Sequence, residues 1–211
     1  MSHHDLESHG MAADRELAST ALVVLAAGSG TRFDARTSKL LVDVGGRPLV
    51  SWALSAAAMV PAGGHFVVTQ DSRLDGLVPE GFIELRNQHP GDGLASSLGL
   101  AVDATLERRL GALTVGLGDQ PLIGAKAWYA VASATVTGVA IATYTGKRGN
   151  PVKIASSVFG LLARQGDVGA RGIFDRVNVV EVPCQGNPMD VDTWADLARV
   201  RATGRKCYGD C

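Results

Sequence analysis

The chain has 211 residues, with 20 lysines and arginines against 21 aspartates and glutamates and a formal net charge of -1. That length suits one sizeable domain with a core on both faces of a sheet. No run of about 18 apolar residues offers a membrane span, and the lack of a basic stripe argues against a large nucleic-acid interface while leaving room for a small phosphorylated ligand.

Residues 1–19 carry His3, His4 and His9 among Asp5, Glu7 and Asp14 without a continuous apolar stretch. They are expected to be a flexible segment, in part an expression appendage, and not a secretory signal, so the cytoplasm is the expected compartment. Three histidines on such a segment lack the scaffold that metal ligation needs. Ala21–Leu25 reads as a buried strand, Pro48–Ala58 as a helix opened by proline and Gly64–Thr69 as a second strand, which begins a βαβ arrangement. Phe82–Arg86 reads as a short strand, and Leu94, Leu98, Ala101 or Val102, and Leu106 recur at helical spacing before the strand Ala112–Gly118. Ala125–Ala134 then reads as helix, Val139–Tyr144 as strand, Ser157–Arg164 as helix, Asn178–Val182 as strand and Trp194–Arg201 as the last helix. The pattern predicts an α/β, Rossmann-like, doubly wound and mostly parallel sheet in a single domain over 20–202, with a tail over 203–211. Gly146 to Pro188 is open to reading as a lobe beside that sheet. Cys184, Cys207 and Cys211 lie late and unevenly, which fits neither a disulfide framework nor a four-ligand zinc pattern.

Leu25-Ala26-Ala27-Gly28-Ser29-Gly30-Thr31-Arg32, followed by Lys39, sits where the first strand ends. Glycines let backbone N–H groups approach an anion, and Arg32 and Lys39 bring positive charge. The spacing is neither a Walker loop nor the GxGxxG dinucleotide fingerprint, and a glycine-rich βα turn without phosphate chemistry remains an alternative. Asp119 follows the strand Leu113–Leu117 and stands where open parallel sheets bind ligands, so it suits a Mg²⁺ ion bridging nucleotide phosphates; next to Pro121 it also suits a turn or cap. Asp190 and Asp192 alternate along an extended piece and project to one side, toward metal or substrate, while Asp192 or Thr193 also suits the cap of the last helix.

Asn87-Gln88-His89-Pro90-Gly91-Asp92-Gly93-Leu94-Ala95-Ser96-Ser97 combines amides, glycines and serines at a helix start, fit either to clasp a base and ribose or to build turns and caps. Gly149-Asn150-Pro151-Val152 and Gly166–Gly172 are irregular segments that suit a second substrate, with Arg171 and Lys153 as candidate charges. No His-Asp-Ser pattern supports triad hydrolysis, and phosphate transfer fits better.

Taken together, Leu25–Phe33 with Lys39-Leu40-Leu41, Gly118-Asp119-Gln120-Pro121, Gly149-Asn150-Pro151, Gly166–Arg171 and Val191-Asp192-Thr193 resemble the MobA-like nucleotidyltransferases, especially the molybdenum cofactor cytidylyltransferases, over roughly Thr20 to Arg201. The resemblance implies nucleotide contacts from Leu25, Ala26, Ala27, Gly28 and Gly30. It implies triphosphate contacts from Arg32 and Lys39, base and ribose contacts from Asn87, Gly93 and Ser96, and Mg²⁺ ligation by Asp119 and Asp192. Ala26-Ala27, in place of a Gly-Gly pair, is similar to the cytidylyl branch and points to CTP before GTP. The implied reaction passes CMP to a molybdopterin acceptor with release of pyrophosphate, and a molybdoenzyme or its chaperone is the implied protein partner. The six residues Phe33 to Ser38 before Lys39 make a longer interval than the family usually shows. That departure leaves room for another phosphorylated acceptor or for a nucleotide-binding regulator without turnover; an NAD-dependent oxidoreductase fits the glycine spacing poorly.

Overall fold

The computed structural model describes residues 3–28 and 38–207. Gly30 and Arg32, two of the expected phosphate-loop residues, lie outside them. Nine strands are present among the described residues: β1 Thr20–Ala26, β2 Asp43–Val44, β3 Arg47–Pro48, β4 Gly64–Thr69, β5 Phe82–Arg86, β6 Ala112–Leu117, β7 Val139–Tyr144, β8 Lys147–Ala155 and β9 Val179–Pro183. The helices are α1 His3–Ala18, α2 Leu49–Ala58, α3 Leu94–Glu107, α4 Ala125–Ala132 and α5 Trp194–Cys207. No helix among the described residues is long and apolar enough to cross a membrane.

Seven strands form one sheet in the order β5-β4-β1-β6-β8-β7-β9, and β2 and β3 form a small separate hairpin. β5, β4, β1 and β6 run parallel, β8 runs antiparallel to both its neighbours, and β9 is parallel to β7. The expected Rossmann-like, mostly parallel sheet is therefore the observed one. Its central strand explains why. All seven residues of β1 are buried, and their side chains alternate between two cores. Leu22, Val24 and Ala26 meet α2 and α4 residues such as Val50, Leu54 and Trp128, while Ala21, Val23 and Leu25 meet Leu98, Ala101 and Val102 of α3. Truncating a fully buried side chain such as Leu22 costs about 2–5 kcal/mol. Gly116 in β6 is required by packing, since a Cβ there would stand 2.5 Å from the Trp128 ring.

Four expectations need correction. Gly146 to Pro188 is not a separate lobe: β8 lies inside the main sheet, between β6 and β7. Its Gly149-Asn150-Pro151 stretch, read as a loop, sits at a bulge where the register shifts between Ile141 and Ala142, so proline takes no ladder position it would break. Ser156–Leu161 is a 3-10 helix and not an α-helix. At the N-terminus, His3–Ala18 is helical, an element that the apolar-poor sequence of 1–19 does not announce. Leu17, 1% exposed, ties its last turn to the core.

A third cluster matters most for the site. Val42, Val44 and Leu49 pack against Val191, Leu197 and Val200, so the C-terminal segment is pinned beside the stretch that follows Lys39.

Candidate active site

The chain order reverses between β1, which leads to β4 and β5, and β6 on its other side. Such a switch point leaves a crevice at the carboxyl ends of the two strands. Here the Gly118 N–H donates to the Leu25 carbonyl at 2.9 Å, so the strands end side by side. Gln70 Nε2 donates to the Ala27 carbonyl at 2.9 Å and fixes the backbone beyond β1. A cleft of about 260 Å³ opens at this point, lined by Leu25, Ala26, Ala27, Gly28, Lys39, Gly93, Ser97, Asp119 and Asp167.

At its edge the Lys39 ammonium donates to Asp119 Oδ2 at 2.6 Å and to Asp192 Oδ1 at 2.9 Å. Lys39 opens a single 3-10 turn, Lys39–Leu41, anchored by buried Leu40. Burial works against its charge, but the Asp119 carboxylate, reinforced by Asp192, outweighs that and raises its pKa above the usual lysine value. Asp119 Oδ1 is buried and has no hydrogen-bond partner among the described residues. Buried polar atoms are normally paired, so this one is a feature to be explained.

The strand-like piece around Val191 is held from several directions. The Val191 side chain is fully buried, its N–H donates to the Asp119 carbonyl at 3.0 Å, and Asp190 Oδ1 accepts from Gln120 Nε2 at 2.7 Å. Gln120, 4% exposed, also donates to the Pro188 carbonyl and accepts from Asn150 Nδ2 at 3.1 Å. Tyr144 continues the chain by donating to the Asn150 carbonyl at 2.7 Å. Burial raises the Asp190 pKa, Asp119 adds to the rise, and the Gln120 donor opposes it. The cap of α5 is Thr193: its Oγ1 accepts from the Asp196 N–H, and Asp196 Oδ2 accepts from the Thr193 N–H. This reciprocal pair is a capping box.

The Asn87 loop divides its residues. Gly93 enters the cleft with φ 83°, and a Cβ there would stand 2.5 Å from Asp167 Oδ1, so glycine is required. Asp167 Oδ1 accepts from the Leu94 N–H at 3.1 Å and caps α3 from outside the helix. Asn87, 5% exposed, donates from Nδ2 to Ser96 Oγ and Ser97 Oγ, both at 2.9 Å, and accepts the His89 N–H. Asn87 and Ser96 line a separate depression beyond the loop, with His89 and Arg164. Ser97 lines the main cleft instead. The sequence does contain its signal, because Ser97 is in helical phase with Leu94 and Ala101 on the sheet-facing side of α3. Lys153 is not a substrate charge. It is 1% exposed, and its ammonium donates to Glu16 Oε2 and to the Ala132 and Ala134 carbonyls.

The sequence profile of the MobA-like NTP transferase domain matches residues 22–181. The chain belongs to this family. It is an enzyme of the nucleotidyltransferase superfamily, and the matched stretch contains every residue that lines the cleft, while Asp192 lies beyond it. Among curated proteins, the bifunctional protein GlmU of Paenarthrobacter aurescens is 34% identical over 145 residues, 65% of this chain and 27% of that protein. GlmU of Pseudarthrobacter chlorophenolicus is 35% identical over 109 residues, 49% of this chain and 22% of that protein. The MobA-like chain thus spans about a quarter of these relatives. Among solved structures, the homologue of Mycobacterium tuberculosis Rv0371c from Mycobacterium sp. strain JC1 superposes with a TM-score of 0.76 at 26% identity, covering 90% of this chain and 98% of that one. A nucleotidyl transferase from Methanothermobacter, Mth528, shares the fold with a TM-score of 0.73 at 20% identity, covering 89% and 98%.

Proposed function

We propose that the chain binds a nucleoside triphosphate in the β1/β6 cleft and, with a divalent cation, transfers its nucleotidyl group to a phosphate oxygen of a small-molecule acceptor. The finer reading, with CTP as donor and molybdopterin as acceptor in a cytoplasmic setting, rests on the resemblance of the glycine turn and its Ala26-Ala27 pair to the cytidylyl branch. Family membership supports nucleotidyl transfer to a phosphorylated small molecule more broadly than it supports that pair of substrates.

One observation carries the reading: among the described residues, the Lys39 ammonium is shared by Asp119 and Asp192 at the edge of the cleft. No cluster of three or more metal-ligating side chains occurs among the described residues. Two carboxylates suit Mg²⁺ nonetheless, because that ion commonly takes one or two carboxylates and completes its shell with water and substrate phosphate. The unpartnered Asp119 Oδ1 fits the same use. When bound, the cation supplies charge neutralisation for the phosphates.

The protein's own part is arrangement. Backbone at Ala26 to Gly28 lies beside the cleft, where N–H groups meet an anion at short range. Lys39, which lines the cleft, brings positive charge to it. An acceptor phosphate oxygen attacks the α-phosphorus, the bond to the bridging oxygen breaks, and pyrophosphate leaves with the electron pair. The acceptor is already an anion, so no protein nucleophile or general base is required. Alignment and exclusion of water supply the rate.

The test is pyrophosphate release with Mg²⁺, comparing CTP, GTP, ATP and UTP, each with molybdopterin and with a panel of other phosphate monoesters. Release that needs both a nucleotide and a phosphorylated acceptor supports the reading, and CTP with molybdopterin as the best pair supports its finer form. Nucleotide binding without release for any pair overturns it in favour of a regulator.

A further inference from the structure

We propose that Lys39 is an exchangeable counter-ion: its ammonium and a divalent cation compete for the carboxylates of Asp119 and Asp192, and the displaced ammonium turns into the cleft to meet the triphosphate. The inference rests on the reading of those two aspartates as metal ligands.

The geometry sets up the competition. The ammonium contacts both Asp119 Oδ2, at 2.6 Å, and Asp192 Oδ1, at 2.9 Å. A Mg²⁺ ion takes carboxylate oxygens at about 2.0–2.1 Å. An ion on these same oxygens therefore brings a second positive centre into contact range of the first, and one must leave. Lysine is the one that can move. Its backbone is anchored by buried Leu40 in a 3-10 turn, whereas its four-carbon stem carries the charge on rotatable bonds. Lys39 also lines the cleft beside Ala26, Gly28 and Gly93, so a change of rotamer moves the charge from the carboxylates toward the nucleotide space.

Lys39 does not saturate Asp119. The second oxygen, Oδ1, is buried without a partner among the described residues, and that unserved acceptor distinguishes this pair from a finished structural salt bridge. Until metal arrives, the ammonium keeps two neighbouring carboxylates from repelling one another and holds the site in shape. Once displaced, it meets the triphosphate as its new anion when nucleotide is present. Metal and nucleotide are thereby coupled: each lowers the cost of admitting the other, and the coupling is reciprocal.

The full-length protein can be titrated with Mn²⁺ alone, without nucleotide, following free Mn²⁺ by electron paramagnetic resonance. The Lys39→Ala variant is expected to bind Mn²⁺ on the order of tenfold tighter than wild type, and Asp119→Asn to bind it more weakly. Lys39→Gln serves if Lys39→Ala does not fold. Binding by the lysine variant that is equal to or weaker than wild type, with Asp119→Asn still weaker, overturns the exchange and leaves the metal reading standing. Mn²⁺ binding that Asp119→Asn does not change overturns both. A second readout follows the ammonium itself: acylation of Lys39 by an amine-reactive ester, measured by peptide mass spectrometry, is expected to rise several-fold on addition of Mg²⁺. Unchanged labelling overturns the exchange.

Discussion

The Val191 N–H donates to the Asp119 carbonyl at 3.0 Å, joining the segment before α5 to the end of β6. Through this bond and the buried Val191 side chain, two aspartates far apart in the chain, Asp119 and Asp192, come to share Lys39. Asp119 is central because it belongs to the strand end by its backbone and to the cleft by its side chain. Asp119→Asn keeps the backbone bond and the side-chain shape but removes the charge. Turnover is expected to fall by a factor on the order of 10² or more, while the melting temperature moves by only a few degrees. Parallel measurement of pyrophosphate release and thermal unfolding checks this, and unchanged turnover would remove Asp119 from the reaction.

Gln120 acts one step behind. Its amide holds Asp190 and Pro188 on one side and receives Asn150 on the other, so it links the bulge of β8 to the segment that carries Asp192. Gln120→Leu fills the space but leaves those polar groups unpaired, at a cost of about 1–3 kcal/mol. With the Asp192 segment loosened, divalent-cation affinity is expected to drop about tenfold or more, the scale typical of groups that orient metal ligands. Unfolding in denaturant and Mn²⁺ titration separate the two effects, and a loss of stability without loss of Mn²⁺ affinity would make Gln120 purely structural.

How much of this was readable from the chain follows from the range of each interaction. β1, β4 and β6 are runs of apolar residues buried on both faces, so their sequence alone marks them, and the position of Asp119 after β6 follows from the rule for parallel sheets. β8 escaped because Gly149-Asn150-Pro151 is punctuation in any local reading, while its tolerance of proline depends on a bulge formed with β7, a different stretch of chain. Lys153, likewise, looks like a mobile surface charge until α1 brings Glu16 to it. Ser97 lines the cleft and Ser96 the depression beyond it, a difference of one helical position that periodicity makes legible. The sharing of Lys39 by Asp119 and Asp192 has no local signature, since it exists only after the Val42 and Val191 cluster has formed.

Asp71 supports the residue that precedes Lys39. Its carboxylate accepts from Arg73 Nε and Nη2, both at 2.8 Å, and from the Ser38 hydroxyl immediately before Lys39. The Arg73 fork, against the effect of partial burial, holds the Asp71 carboxyl down to about 2 from its ordinary 3.8. A depressed acid pKa stabilises the fold fully above 3.8 and ceases to do so as pH falls through about 2. Because Arg73 is largely exposed, that contribution is no more than about 1 kcal/mol. Asp71→Asn should therefore lower stability at neutral pH slightly and flatten the acid limb relative to wild type. Melting curves taken across that window test the difference, and identical pH slopes would sink it.

The ion pair between Lys153 and Glu16 fastens α1 to the sheet. All three Lys153 donors are used, on Glu16 Oε2 at 2.7 Å and on the Ala132 and Ala134 carbonyls at 2.8 Å, with the lysine 1% exposed and Glu16 26% exposed. Burial lowers the Lys153 pKa, and Glu16 only partly opposes it. Glu16→Ala strands a buried ammonium, and since Glu16 itself is partly solvated, the expected loss is about 3–4 kcal/mol, the lower part of the range for broken buried pairs. The double variant Glu16→Leu, Lys153→Met removes both charges and should lose less than Glu16→Ala alone. The pH dependence has a definite sign. A lysine whose folded pKa is depressed binds fewer protons folded than unfolded, so the deficit of Glu16→Ala should shrink as pH rises toward the ordinary lysine value of 10.5. Denaturant midpoints of the three proteins at neutral and alkaline pH test this together. A deficit that is independent of pH would mean that Glu16 acts through packing and not through its charge.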